Sequence, residues 1–139
     1  MSGTVRALFV KPEKGAKSAA RDSVQAGLHG LDGDHHTGNS KRRQILLMSG
    51  SVIDGLDLKP GDIYENVVVD GLDIMSLQEG QHLRLGDALV AVTVPCEPCV
   101  QMDRIRSGLQ EALRDNRGMF VNVLEPGMVR VGDPVREVT

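Results

Sequence analysis

Aromatic residues are nearly missing from this chain of 139 residues: there is no tryptophan, one tyrosine and two phenylalanines. The core must therefore be built from Val, Leu, Ile and Met, and a platform for stacking nucleic-acid bases is hard to assemble. A strong charge of either sign is missing too. The net charge is -3, which argues against a non-specific nucleic-acid binder, since that needs a broad basic face. The one basic cluster, Lys41-Arg42-Arg43, is short enough to be a solvated turn. No apolar run approaches the roughly 20 residues of a membrane span, and the first fifteen residues carry no signal-peptide cleavage pattern. A cytoplasmic protein without membrane or nucleic-acid partners is the expectation. Cysteine is limited to two positions, too few for a disulfide framework. In a reducing compartment a close pair of thiols points to catalysis, redox chemistry or metal binding.

What is present fits one domain spanning 1–139. Apolar residues make up 40%, a globular value, and the length suffices for a core. Alternation of Val5, Ala7 and Phe9 predicts a strand over 4–10, followed by a polar loop over 11–20. Further strands are predicted near 23–26, 43–48 and 63–69, with a short helix over 49–56 capped by Ser49 or Ser51. Residues 77–87 echo residues 124–133, each ending in Gly-Asp before another apolar stretch, which is turn chemistry. Many short strands joined by such turns read as a barrel or strongly bent sheet. The fold class is thus β-dominated (α+β), with one main helix near 98–114. Met102, Ile105, Leu109, Ala112 and Leu113 form its apolar stripe, and Pro98 suits its first turn.

The thiols lie in VPCEPCVQMD, as Cys96 and Cys99. At the start of the expected helix, unpaired N–H groups and the dipole would stabilise a Cys99 thiolate, the nucleophilic and metal-binding form. The plainer reading is a small apolar residue atop the stripe. A reversible Cys96–Cys99 disulfide stays open, although the βαβ context of a thioredoxin-like site is absent. Structural zinc would need two more ligands from His29, His35, His36 and His82, and no second C-x-x-C supplies them. The loop Gly33-Asp34-His35-His36-Thr37-Gly38 offers backbone amides and imidazoles to an anion or cofactor, but lacks a P-loop ending. Glu65-Asn66 and Arg117-Gly118 read equally as surface or turn positions.

Taken in order, these segments resemble the MOSC domain, the C-terminal domain of molybdenum cofactor sulfurases and also a free-standing bacterial protein. The resemblance runs over about 23–138. It rests on Gly33, Asp34 and His36 for the glycine-rich signature, and on Arg43-Gln44 opening the next strand. Pro60, Gly61, Glu65 and Asn66, the Arg117-Gly118 pair, and Pro98, Cys99, Gln101 and Asp103 around the signature cysteine complete it. Cys96 departs from the pattern. The resemblance implies a bent sheet or barrel, with Cys99 as a persulfide carrier or molybdenum ligand. It also implies a molybdenum cofactor pocket shaped by Gly33, Asp34, His36, Arg43, Asn66 and Arg117. Sulfur would come in trans from a pyridoxal-phosphate cysteine desulfurase, or the chain would serve a molybdenum cofactor enzyme. No pyridoxal phosphate is expected on this chain alone. Relatives that reduce N-hydroxylated compounds raise a reductase role, with electrons supplied from elsewhere. A non-catalytic binding module and a thiol–disulfide switch remain the alternatives.

Overall fold

A computed structural model describes residues 2–35 and 42–138. The first strand, β1 (Ser2–Val10), shows how local irregularity sets the architecture. Its pairing with β6 (Val67–Asp70) slips between Val5 and Ala7. A one-residue slip moves every later side chain to the opposite face. Val5, Leu8 and Val10 therefore point into the main core, while Ala7 and Phe9 pack against a second core on the other face. Simple alternation had put Val5, Ala7 and Phe9 together. The bulge overturns that grouping.

The remaining elements follow in chain order. They are β2 (Ala19–Arg21), β3 (Ser23–Gly27), β4 (Gly30–Leu31), β5 (Ile45–Ser49) and α1 (Gly50–Gly55). After β6 come β7 (His82–Leu85), β8 (Ala88–Pro95), α2 (Gln101–Ile105) and α3 (Leu109–Ala112). The chain finishes with β9 (Met119–Glu125), β10 (Gly127–Arg130) and β11 (Pro134–Val138). Among the described residues, β11, β7, β8, β9, β5, β6 and β1 lie side by side, and β11 pairs back onto β1. The sheet is thus a closed seven-stranded barrel, with β2 added outside β1 and a small sheet β10-β3-β4 beside it. Closure removes the exposed edges that an open sheet would present.

Among the described residues, only β5 and β6 run parallel within the barrel. A parallel pair needs a crossover, and α1 with the turns over 56–66 supplies it. All five residues of β5 are buried. Ile45 and Leu47 fill the barrel, and Met48 faces the second core with Ile53, Ile63, Val68, Met102, Leu109 and Leu113. Helices α1, α2 and α3 therefore pave the outside of β5 and β6.

The long helix expected near 98–114 is two short ones. Arg106 is extended (φ -158°, ψ 131°) and Gly108 is left-handed (φ 84°). The apolar stripe survives the break, with Met102, Leu109 and Leu113 buried. Asp103 bridges it by accepting a hydrogen bond from the Gln110 N–H at 2.9 Å. Cys99 stands outside both helices, two residues before α2. A five-residue helix has little dipole to offer, so that reason for a Cys99 thiolate falls away.

Two smaller expectations are also corrected. Residues 63–66 are not strand: Ile63 ends a turn, and β6 begins only at Val67. Gly86-Asp87 does join a hairpin between β7 and β8, but Gly132-Asp133 passes from the small sheet into the barrel. The two echoed segments touch instead. Met128 O accepts from the Asp87 N–H at 3.0 Å, and Arg130 donates to the Asp87 carboxylate at 3.1 Å. No described helix is long and apolar enough to cross a membrane.

Candidate functional site

The end of β8 and the start of β9 build the heart of the site. Their pairing is irregular between Val92 and Pro95, after which the Cys96 N–H reaches Gly118 O at 2.9 Å. Gly118 has φ 120°, and a Cβ there would stand 2.5 Å from Leu47 O. Only glycine lets β9 lie this close to β5. That close approach carries the neighbouring Arg117 inward, to 6% exposure. The Arg-Gly pair is therefore a packing device with a buried cation attached.

Opposite Arg117 lies the turn over 60–66. The Glu65 side chain is fully buried, and its Oε2 accepts from the Gly61 N–H at 2.9 Å. Burial pushes the Glu65 carboxyl above the usual range, while backbone N–H groups and the Arg117 charge pull against it. Arg117 donates to Ile63 O at the same turn. One guanidinium nitrogen, Nη1, and the Glu65 Oε1 are buried without a hydrogen-bond partner. An unspent buried N–H of a cation is costly, and with the Glu65 Oε1 equally unpartnered this corner holds an incompletely satisfied pair of opposite charges. Tyr64, between these groups, adopts a left-handed backbone (φ 64°).

A cleft of about 740 Å³ opens here, on the outside of the barrel. Cys96 and Cys99 both line it, with Arg43, Gln44, Asn66 and Arg117. Lys11, Lys14, His35, Tyr64, Glu97, Arg104 and Phe120 contribute as well. Among the described residues, five cationic side chains and an imidazole thus share the cleft with a single carboxylate, Glu97, in a chain of net charge -3. Such a concentration of one sign in a concave surface focuses potential and draws anions. Two of the chain's three aromatics carry cations here. Lys11 Nζ lies 4.4 Å from the Tyr64 ring centre, and Arg43 Cζ lies 5.9 Å from that of Phe120.

The two thiols differ. Cys99 is exposed, whereas Cys96 is half-buried. Burial pushes the Cys96 thiol up, with Arg117 as the strongest opposing influence. Among the described residues no three His, Cys, Asp or Glu side chains gather as a metal site.

Of the residues singled out from sequence, Cys99, Arg43, Asn66 and Arg117 meet in this cleft. Asn66 and Gln44 spend their amides on scaffolding. Asn66 accepts from the Leu46 N–H at 2.9 Å and donates to Phe9 O at 3.1 Å, tying β5 to β1. Gln44 accepts from the Val123 N–H and donates to Leu28 O. Gly33 and Asp34 are not in the lining. Asp34 is buried and accepts from the Lys11 N–H at 2.9 Å, which pins the glycine loop to the end of β1. Among the described residues of that loop, His35 reaches the cleft. His36 lies outside the described residues. Sequence reasoning missed Lys11, Lys14, Tyr64 and Arg104. The lysines sat in a segment read as a polar loop, and their only signal was its excess of lysine.

Comparison with known proteins gives a consistent picture. A family model for the MOSC domain matches residues 32–136. No curated protein matches. Among solved structures, the YuaD protein from Bacillus subtilis is similar at 22% identity, with a TM-score of 0.84 over 97% of this chain and 94% of its own. YiiM from Geobacillus stearothermophilus is similar at 18% identity and a TM-score of 0.83, over 99% of this chain and 75% of its own. YiiM from Escherichia coli follows at 21% and 0.75, over 100% and 70%. At these identities the structures establish the shared fold, and the family match covers three-quarters of the sequence. With its closed barrel and its Cys99 segment set beside Arg117-Gly118, this chain belongs to the MOSC domain family, a family associated with the molybdenum cofactor.

Proposed function

We propose that Cys99 carries a sulfane sulfur at the wall of a cleft that takes the anionic molybdenum cofactor. The observation that carries this reading is the exposed thiol sharing a cleft with a buried, incompletely partnered Arg117, where the described residues bring five cations and one carboxylate. Loading is a thiol exchange. The Cys99 thiolate attacks the outer sulfur of a donor persulfide, forms a Cys99 S–S bond, and releases the donor thiolate. A pyridoxal-phosphate cysteine desulfurase is the donor class that makes such a persulfide from cysteine. Exposure of Cys99 lets a partner protein reach it.

The residues suit the cofactor on chemical grounds. Arg117, Arg43, Lys11 and Lys14 would hold its phosphate by charge-assisted hydrogen bonds, and Cys99 is a soft donor suited to molybdenum. When bound, the cofactor supplies two-electron redox chemistry at its metal. Asn66, Gln44 and Glu65 do not need to touch it. They hold the strands and the turn that present the cations.

The test is sulfur uptake. After brief incubation with a cysteine desulfurase and labelled cysteine, and immediate alkylation to trap persulfides, the parent should carry labelled sulfur on Cys99 under non-reducing peptide mapping. Cys99→Ser should carry none at that position and keep its fold by circular dichroism. Labelling that is unchanged in total in Cys99→Ser would rule out the carrier role.

A second reading, reduction of N-hydroxylated compounds at a cysteine-ligated molybdenum, uses the same cleft and thiol. It requires electrons from a separate protein, and turnover with such a compound and a chemical reductant would distinguish it from sulfur carriage.

A further inference from the structure

The second thiol has no place in that scheme, yet it lines the same cleft as Cys99. The backbone from Cys96 to Cys99 has no regular secondary structure. Cys96 is anchored to Gly118 through its N–H, while the Cys99 carbonyl accepts from the Met102 N–H at 2.9 Å. The four-residue segment is therefore held at both ends, with only Glu97 and Pro98 between the thiols. No sheet ladder or helix has to open for Cys96 and Cys99 to come within the 4.4–6.8 Å Cα separation of a disulfide.

We propose that Cys96 is a resolving thiol that discharges a persulfide on Cys99 as hydrogen sulfide. This rests on the reading that Cys99 carries sulfur. The Cys96 thiolate attacks the Cys99 sulfur that is bonded to Cβ. A Cys96–Cys99 bond forms, the bond to the terminal sulfur breaks, and that sulfur leaves with the electron pair. It takes up the proton that Cys96 gave up, so one dithiol-plus-sulfur becomes one disulfide plus hydrogen sulfide. The Cys96 sulfur is oxidised and the terminal sulfur is reduced. No further oxidant enters, and a dithiol reductant restores both thiols. Burial pushes the Cys96 thiol up, and Arg117 and Arg43 act against that, favouring the attacking anion. Proximity gives the internal thiol a large advantage over any thiol in solution. The consequence is a carrier whose cargo is short-lived, delivered promptly or released as sulfide.

The full chain, reduced and freed of reductant, is treated with inorganic polysulfide as the probe. Intact mass and peptide mapping are then followed over time without reductant, together with released sulfide. Cys96→Ser should retain one extra sulfur on Cys99. The parent should pass to a form two hydrogens lighter than the dithiol, with one sulfide released per chain. The persulfide should last at least about tenfold longer in Cys96→Ser than in the parent. Equal persulfide lifetimes in the two proteins, with no Cys96–Cys99 disulfide, would overturn the resolving role and leave sulfur carriage standing. If Cys96→Ser takes up no sulfur on Cys99, the carrier reading fails and the resolving role fails with it. Cys99→Ser, unable to form the disulfide, should release no sulfide in step with loss of bound sulfur. Release that persists in it would assign the chemistry elsewhere.

Discussion

Tyr64 keeps a left-handed backbone, a conformation that costs a non-glycine residue about 1 kcal/mol or more. Its ring, half-exposed at the cleft, holds the Lys11 ammonium by a cation–π contact. Tyr64→Gly removes the strain and the ring together, so its stability should stay within about 1 kcal/mol of the parent. Binding of a pterin phosphate should weaken in Tyr64→Gly and be retained in Tyr64→Phe. Titration of the three proteins checks this, and equal affinities would remove Tyr64 from the site. Glu65 gives a second residue-level expectation. Its carboxyl is raised by burial, so the unfolded chain releases that proton at lower pH than the folded one. As pH rises from the ordinary carboxylic-acid range towards the raised value, the unfolded state binds fewer protons and this group lowers stability. Below that window, with both states protonated, the penalty is absent. Glu65→Gln should flatten this part of the stability–pH profile, measured by urea unfolding at a series of pH values. Such roles were only partly legible in the sequence. Arg117 and Glu65 stood out by motif, but nothing in the string distinguished Asn66, which ties strands together, from Arg117, which keeps an N–H unspent.

At the scale of elements, periodicity located most strands and concealed what interrupts them. The slip in β1 after Val5 cannot be read from alternating apolar residues, because Leu8 and Phe9 are both apolar and either could face inward. The stripe from Met102 to Leu113 is real, and the helix still breaks where Gly108 turns left-handed. The strand β5 was legible as largely buried from the apolar run Ile45 to Met48, since both its faces are covered. Glycines allow a graded test of the close approach that builds the site. A Cβ at Gly118 would meet the Leu47 carbonyl at 2.5 Å, whereas one at Gly132 would meet nothing within 4 Å, and both have positive φ. Gly132→Ala should cost about 1 kcal/mol, the backbone term alone. Gly118→Ala adds a backbone clash and should cost at least about 2 kcal/mol. Urea unfolding of the two variants checks the order. Equal costs would mean that β9 does not depend on this approach to β5.

For the molecule as a whole, barrel closure and surface charge serve different ends. Closure buries an aliphatic core without help from aromatics, and the scarcity of Trp, Tyr and Phe foretold which side chains fill it. The net charge said nothing of the cleft, because its cations come from segments far apart in the chain, from Lys11 to Arg117. Only the fold makes a cationic site within a chain of net charge -3. The most direct test of that site is retention of the molybdenum cofactor. Cofactor released from a donor molybdenum enzyme is mixed anaerobically with parent or Cys99→Ser, and molybdenum and pterin eluting with the protein on gel filtration are quantified. The parent should retain both together, and Cys99→Ser should bind at least about tenfold more weakly through loss of its soft donor. Equal retention by the two proteins, or none by the parent, would contradict the account.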